Sequence, residues 1–162
     1  MEKYWRIKEN GLRTDVDKLV YELNISYVLA NLLVQRGINT YDHAKEFFRP
    51  NLENLHDPFL MNDMDAAVDR LNKAITENET ILIYGDYDVD GTTSVALTYS
   101  FLRKYHKNID YYIPDRYSEG YGVSYKGIDY ASDHQVSLVI ALDCGIKAVD
   151  KISYAIQKGI DF

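Results

Sequence analysis

From Thr80 onward, short oily runs of strand length alternate with longer stretches of helical period. Nothing else in the chain limits its fold so much. Thr80–Tyr84 reads as a strand, and Thr92–Tyr105 as a helix with Val95, Thr98, Tyr99 and Leu102 facing inward. Asp110–Ile113 is a second strand and Ser124–Ser132 a second helix. Ser137–Leu142 is oily on both faces, as a central parallel strand should be. Val149, Ile152 and Ile156 mark a further helix, ended by Gly159, and Ile160-Asp161-Phe162 begins another strand. Strand and helix in strict alternation mean βαβ units. The fold class expected is therefore α/β, a parallel Rossmann-like sheet with flanking helices. The chain stops inside its last strand, as a piece of a longer protein would.

The segment before this is helical. Val16, Leu19, Val20 and Leu23 fall at helical spacing, with Asp15 as a candidate N-cap. Ser26 is placed to cap a helix carrying Val28, Leu29, Leu32 and Leu33, which should end at Gly37. Thr40 caps a short helix with Ala44, Phe47 and Phe48, stopped by Pro50. A loop follows to Met61, then a helix from about Asp63 with Ala67, Val68, Leu71 and Ile75 on one face. The division expected is a helical region over residues 1–62 and an α/β region over 63–162. The helices either side of Gly37 resemble a helix-turn-helix in outline, but no basic recognition face follows, so a small packing unit is the better reading.

Composition excludes several classes. No apolar run approaches the roughly 20 residues a membrane helix needs, and the start, Met-Glu-Lys-Tyr-Trp-Arg, lacks the oily core of a secretory leader. Cys144 is the only cysteine, so no internal disulfide is possible and a reducing cytoplasm fits. A net charge of −7 argues mildly against a free-standing nucleic-acid binder, although an acidic metal site contributes negative charge of its own.

The first oily strand runs directly into Gly85-Asp-Tyr-Asp-Val-Asp-Gly91, three aspartates at alternate positions. In open parallel sheets the functional crevice lies at the carboxyl ends of the strands. Asp86, Asp88 and Asp90 sit past one such end, and Asp143 past another. Carboxylates gathered at one edge repel and cost stability unless something cationic neutralises them. Oxygen ligands favour hard ions such as Mg²⁺ or Mn²⁺. Gly91 and the threonines after it open a helix whose first amides can hold a phosphate. Together these features suggest metal-assisted phosphoester hydrolysis. The plainer alternatives are that Asp86 is a turn residue or a support for its neighbours, that Asp88 and Asp90 cap a helix, and that Asp143 makes a turn. Cys144 reads as a small packing residue, since no histidine partners it.

Tyr112-Ile-Pro-Asp-Arg-Tyr-Ser-Glu-Gly-Tyr-Gly-Val-Ser124 also follows a strand and faces the same crevice. Arg116 has the forked donors that suit a phosphate. Tyr117 and Tyr121 are candidates to stack on a base, and Gly120 and Gly122 let backbone approach a ligand. The plainer alternative is a glycine-bent loop with a surface arginine. The four histidines, His43, His56, His106 and His134, lie in no ligand-like spacing and read as surface or packing residues.

Gly85–Gly91, Asp143-Cys-Gly145 and Pro114–Gly122, in this order and at these separations, resemble the DHH phosphoesterase superfamily, and within it the bacterial exonucleases specific for single-stranded DNA. The resemblance extends to Leu33-Val-Gln-Arg-Gly37, Phe47-Phe-Arg-Pro50 and Asp57–Met64, and so covers nearly the whole chain. It implies a truncated DHH domain and a two-metal Mn²⁺ or Mg²⁺ site that degrades single-stranded DNA from the 5′ end to mononucleotides, in DNA repair and recombination. Carried over, Asp88 and Asp90 would be metal ligands, Asp143 would bridge or share the metals, and Asp86 would be a ligand or close support. Arg116, Gly120, Tyr121 and Gly122 would contact the nucleotide. A single-strand-binding protein and a helicase are the implied partners. The Asp-His-His motif that names the superfamily is absent; it should follow the strand begun at Ile160. The isolated piece is therefore expected to bind metal weakly and not to cleave DNA.

Asp88-Val-Asp-Gly-Thr92 also matches the haloacid dehalogenase phosphatase signature, with Asp88 as nucleophile and Asp90 as acid/base. That signature wants oily residues directly before the first aspartate, and Gly85-Asp86-Tyr87 intervene. A DHH phosphoesterase acting on short oligonucleotides or cyclic dinucleotides is a nearer alternative. A degenerate module kept for protein contact is disfavoured by the intact aspartates.

Overall fold

A computed structural model describes residues 4–162. Met1, Glu2 and Lys3, part of the start read as lacking a leader's oily core, lie outside the described residues. No helix among the described residues is long and apolar enough to cross a membrane. The chain falls into two compact units, the first ending at Pro58 and the second spanning Phe59–Phe162.

The first unit packs α1 (Arg13–Leu23), α2 (Tyr27–Val34) and α3 (Tyr41–Phe48). Val16 and Leu19 of α1 bury against Ala30, Leu33 and Val34 of α2. Ser26 and Thr40 cap α2 and α3 by accepting the amides of Leu29 and His43. Gly37 takes φ +80°, and Ile38 N donates to Leu33 O at 3.1 Å, the six-to-one bond that closes such a helix end. Asp15 is not the N-cap of α1. The Leu12 carbonyl already accepts from the amides of Asp15 and Val16, so the helix closes earlier and Asp15 lies in its first turn. A negative charge there still favours the helix dipole.

The second unit runs α4 (Met64–Thr76), β1 (Thr80–Gly85), α5 (Val89–Leu102), β2 (Ile109–Tyr112), α6 (Tyr125–Asp133), β3 (Val136–Leu142) and α7 (Val149–Gln157). The strands form a parallel sheet in the order β2-β1-β3. The central strand is thus β1, not the one over Ser137–Leu142. Among the described residues, β3 meets only an isolated parallel bridge between Leu138 and Asp161 on its outer side, and its last three residues are half-buried, whereas β1 is buried from Ile81 to Gly85. An oily run on both faces reports cover by helices, not a neighbour on each edge.

Alternate residues of β1 serve two layers. Leu82 and Tyr84 pack with Val123, Ile128, Ala131 and Ala155 on one face. Ile81 and Ile83 pack with Ala74, Val95 and Leu102 on the other. Each valine, leucine or isoleucine among these contributes about 1.5–3 kcal/mol by leaving water. Tyrosines build much of the first face: Tyr84 stacks on Tyr112 at 5.4 Å, and Tyr112 meets Tyr130 at 5.0 Å. Of the histidines, His106 is buried and bonds the Glu79 carbonyl through Nε2 at 2.8 Å.

Candidate active site

The ends of β1 and β3 are level. Gly85 pairs with Leu142, so Asp86 and Asp143 leave the sheet side by side. β2 ends one pair earlier, Tyr112 opposite Tyr84, and sends Ile113-Pro114 to the same edge. One rim therefore carries all three candidate segments.

Asp86 is 0% exposed. Its Oδ1 accepts the Tyr87 amide at 2.7 Å, while Oδ2 is buried with no hydrogen-bond partner among the described residues. A buried, unanswered carboxylate oxygen is costly in a folded protein. Glycine makes this burial feasible. A Cβ on Gly91 would lie 2.4 Å from Asp86 O and 2.6 Å from Asp86 N, so the first turn of α5 rests directly on the Asp86 backbone. Gly85 faces the same contact, its Cβ position 2.8 Å from Gly91 O. The spacing from Gly85 to Gly91 is thus a packing requirement of the strand-to-helix turn.

Asp88 is the N-cap of α5, its Oδ1 accepting the Gly91 amide at 2.9 Å. The helix consequently begins at Val89, ahead of the Thr92 start expected. Asp90 lies in that first turn, exposed. Asp143 is exposed and takes φ +55°, a left-handed conformation that aspartate tolerates better than most residues. Gly145 follows at φ +97°, and its carbonyl accepts the Ala148 amide at 2.8 Å.

The electrostatics show which carboxylates converge. The Tyr121 hydroxyl is pushed up first by burial, then by the charges of Asp86, Asp88 and Asp143, with a loose approach to the Asp86 carboxyl adding least. Burial, followed by Asp86, Asp143 and Asp88, pushes the Cys144 thiol up to about 11, which keeps it protonated at neutral pH. Asp86, Asp88 and Asp143 therefore all act on the same stretch of the rim. Among the described residues, no group of three or more His, Cys, Asp or Glu side chains is close enough together to hold a metal ion.

The loop after β2 is tightly tied. Asp115 Oδ1 accepts the amides of Tyr117 and Ser118. Glu119 accepts the Asp115 amide on Oε1 at 2.8 Å, and the hydroxyls of Tyr112 and Ser124 on Oε2. Burial opposes the charge on Glu119, but the bonds from Ser124, Asp115 and Tyr112 outweigh it and hold its carboxyl below the usual range. Tyr84 donates to Gly122 O at 3.2 Å and accepts the Ser124 amide at 3.0 Å. Gly120 and Gly122, at φ +80° and +81°, bracket Tyr121. Tyr117 is 95% exposed and Tyr121 64%.

Sequence reasoning missed Tyr87. The Arg116 guanidinium lies over its ring at 5.3 Å, and the Tyr121 ring meets it edge-on at 6.1 Å. Arg116 thus rests on an aromatic face and forms no ion pair with a carboxylate among the described residues. Glu119 was also missed. Its polar neighbours in the motif gave no sign that it clamps the loop from within.

Residues 80–162 match the DHH family, N-terminal domain. The chain is 39% identical over 160 residues to the single-stranded-DNA-specific exonuclease RecJ of Bacillus subtilis, covering 97% of this chain and 20% of that protein. It is 35% identical over 134 residues to RecJ of Escherichia coli, covering 82% of this chain and 22% of that protein. Among solved structures, RecJ from Thermus thermophilus in complex with Mn²⁺ superposes with a TM-score of 0.66 at 20% identity, over 96% of this chain and 21% of that one. Exonuclease RecJ bound to manganese superposes with a TM-score of 0.54 at 28% identity, over 59% of this chain and 24% of that one. The chain spans about a fifth of the length of the curated relatives it matches.

Proposed function

The chain belongs to the DHH family, and on that premise we propose that it carries the first part of the active centre of a metal-dependent exonuclease that degrades single-stranded DNA from 5′ to 3′ into mononucleotides. The observation that carries this reading is the buried Oδ2 of Asp86, without a hydrogen-bond partner among the described residues, on the sheet edge it shares with Asp88 and Asp143. An all-oxygen donor set with an unanswered buried anion fits a hard divalent cation. Asp86, Asp88, Asp90 and Asp143 would hold Mn²⁺ or Mg²⁺ in a two-metal centre completed elsewhere in the protein. When bound, such ions polarise the phosphate and make water a better nucleophile near neutral pH. The manganese in the two RecJ structures supports Mn²⁺.

The chain's own residues do the rest. Asp88 fixes the start of α5 and keeps a second oxygen for the ion. Arg116, held on Tyr87 instead of against a carboxylate, remains available to a substrate phosphate, for which its forked donors suit. Gly120 and Gly122 admit the nucleotide backbone, and Tyr121 offers a stacking face beside the carboxylates. A cytoplasmic role in DNA repair and recombination, with a single-strand-binding protein and a helicase as partners, completes the proposal. Calorimetric titration of Mn²⁺ into the 162-residue chain, beside the D88A/D90A double variant, tests it. Binding should be lost in the variant; binding that persists there would place the ion elsewhere and sink the reading.

A further inference from the structure

Strand order puts positive charge on both sides of the carboxylates. Arg116 follows β2, the aspartates of Gly85–Gly91 follow β1, and Lys147 and Lys151 follow β3. On the β3 side lies a cavity of about 420 Å³ between the Tyr121–Val123 turn and the start of α7. Asp143 and Gly145 form one wall, and Lys147 and Lys151 line the cavity with them. The Lys151 ammonium is fixed there by donating to the Val123 carbonyl.

Acidic residues outnumber basic ones, 25 to 18. Four of the basic side chains, Arg13, Lys18, Arg70 and Lys158, form ion pairs. Lys147 and Lys151 form none among the described residues, although Asp143 lines the same cavity. Lys151 is half-buried, so its ammonium is partly dehydrated and answered only by a neutral carbonyl. Unmatched cations around an open cavity are suited to an anion, and the cavity is roomy enough for a phosphate with its sugar.

We infer that this cavity is a second phosphate subsite, taking the phosphodiester adjacent to the one at the carboxylates. The inference rests on the proposed function and sharpens it. Cations on both sides of the aspartates suit a polyanion laid across the rim, which means an oligonucleotide of at least two residues and not a mononucleotide.

The test is an NMR titration of the ¹⁵N-labelled chain, in Mg²⁺, with 5′-phosphorylated dithymidylate and with thymidine 5′-monophosphate. The dinucleotide should bind several-fold tighter and move the amide signals of Val123, Lys147 and Lys151. In K147A, an exposed turn position, and in K151M, which keeps the apolar stem, that advantage should vanish while mononucleotide binding holds. The salt dependence of dinucleotide binding should shallow by about 0.7 in log–log slope for each lost contact, as for single strands generally. K151R should restore the advantage. Equal affinity for the two ligands, an advantage that survives in both lysine variants, or no response at the cavity would overturn the subsite. Metal binding by D88A/D90A is scored separately: lysine-dependent dinucleotide binding with no carboxylate-dependent metal binding would retain the subsite and discard the proposed centre.

Discussion

Asp86 is built at the expense of stability. Its carboxylate is fully buried, and Oδ2 has no hydrogen-bond partner among the described residues. Asp86→Asn keeps the shape and the bond from the Tyr87 amide while removing a buried charge. Thermal melts without metal should show the variant more stable, by about 1 kcal/mol. The rise in melting temperature that Mn²⁺ gives the wild type should be lost. Tyr87 acts at the same scale but on the substrate side. Tyr87→Ala removes the ring beneath Arg116 and beside Tyr121. An exposed cation–π contact is worth about 0.5–1 kcal/mol, so thymidine 5′-monophosphate affinity should fall roughly two- to fivefold, with Tyr87→Phe close to wild type.

At the scale of elements, the turn from β1 into α5 is set by glycine. Gly91→Ala forces a methyl against the Asp86 backbone and should destabilise the fold by about 1–3 kcal/mol, read from the urea midpoint, with Mn²⁺ binding weakened in parallel. The loop after β2 is set by Glu119. Its carboxyl titrates below the ordinary value of 4.5 in the folded chain, because bonds from Ser124, Asp115 and Tyr112 outweigh burial. The stability this contributes is complete above that ordinary value and lost as pH falls through the lowered folded one. Acid unfolding below the ordinary value of 4.5 should therefore be flatter for Glu119→Gln than for wild type. These elements also mark how far the sequence could be read. Period, the caps Ser26 and Thr40, and Gly37 located the α-helices and the three paired strands to within a few residues, because these signals act locally; the strand expected from Ile160 is only an isolated bridge at Asp161. They could not show that β1 is central, since pairing partners are non-local. They could not reveal Tyr87 or Glu119 either. Tyr87 meets its partners, Arg116 and Tyr121, only across the sheet edge, and Glu119 finds its own only once the loop has folded. The placement of Asp86, Asp88 and Asp143 at the sheet edge was legible because each directly follows an oily strand or its turn. Asp90 has the same sequence signal and lies exposed in the first turn of α5.

For the whole molecule, the two units keep separate cores: Val16, Leu19 and Leu33 in one, and the faces of β1 in the other. The second is closed on itself by Arg70, which ion-pairs with Glu79 before β1 and with Asp161 after α7. Residues 59–162 expressed alone should therefore fold, with dispersed amide spectra and a cooperative melt; a broad, non-cooperative transition would count against two independent cores. The shared register of Gly85 with Leu142 carries a different consequence. Strand length works here as a ruler. Removing one residue from β3 would draw Asp143 back by about 3.3 Å and turn every later side chain to the opposite face. In the divergence of such a chain, the number of residues between β3's start and its aspartate is therefore under the same constraint as the aspartate itself, and substitutions along that strand are tolerated far more readily than a change in its length.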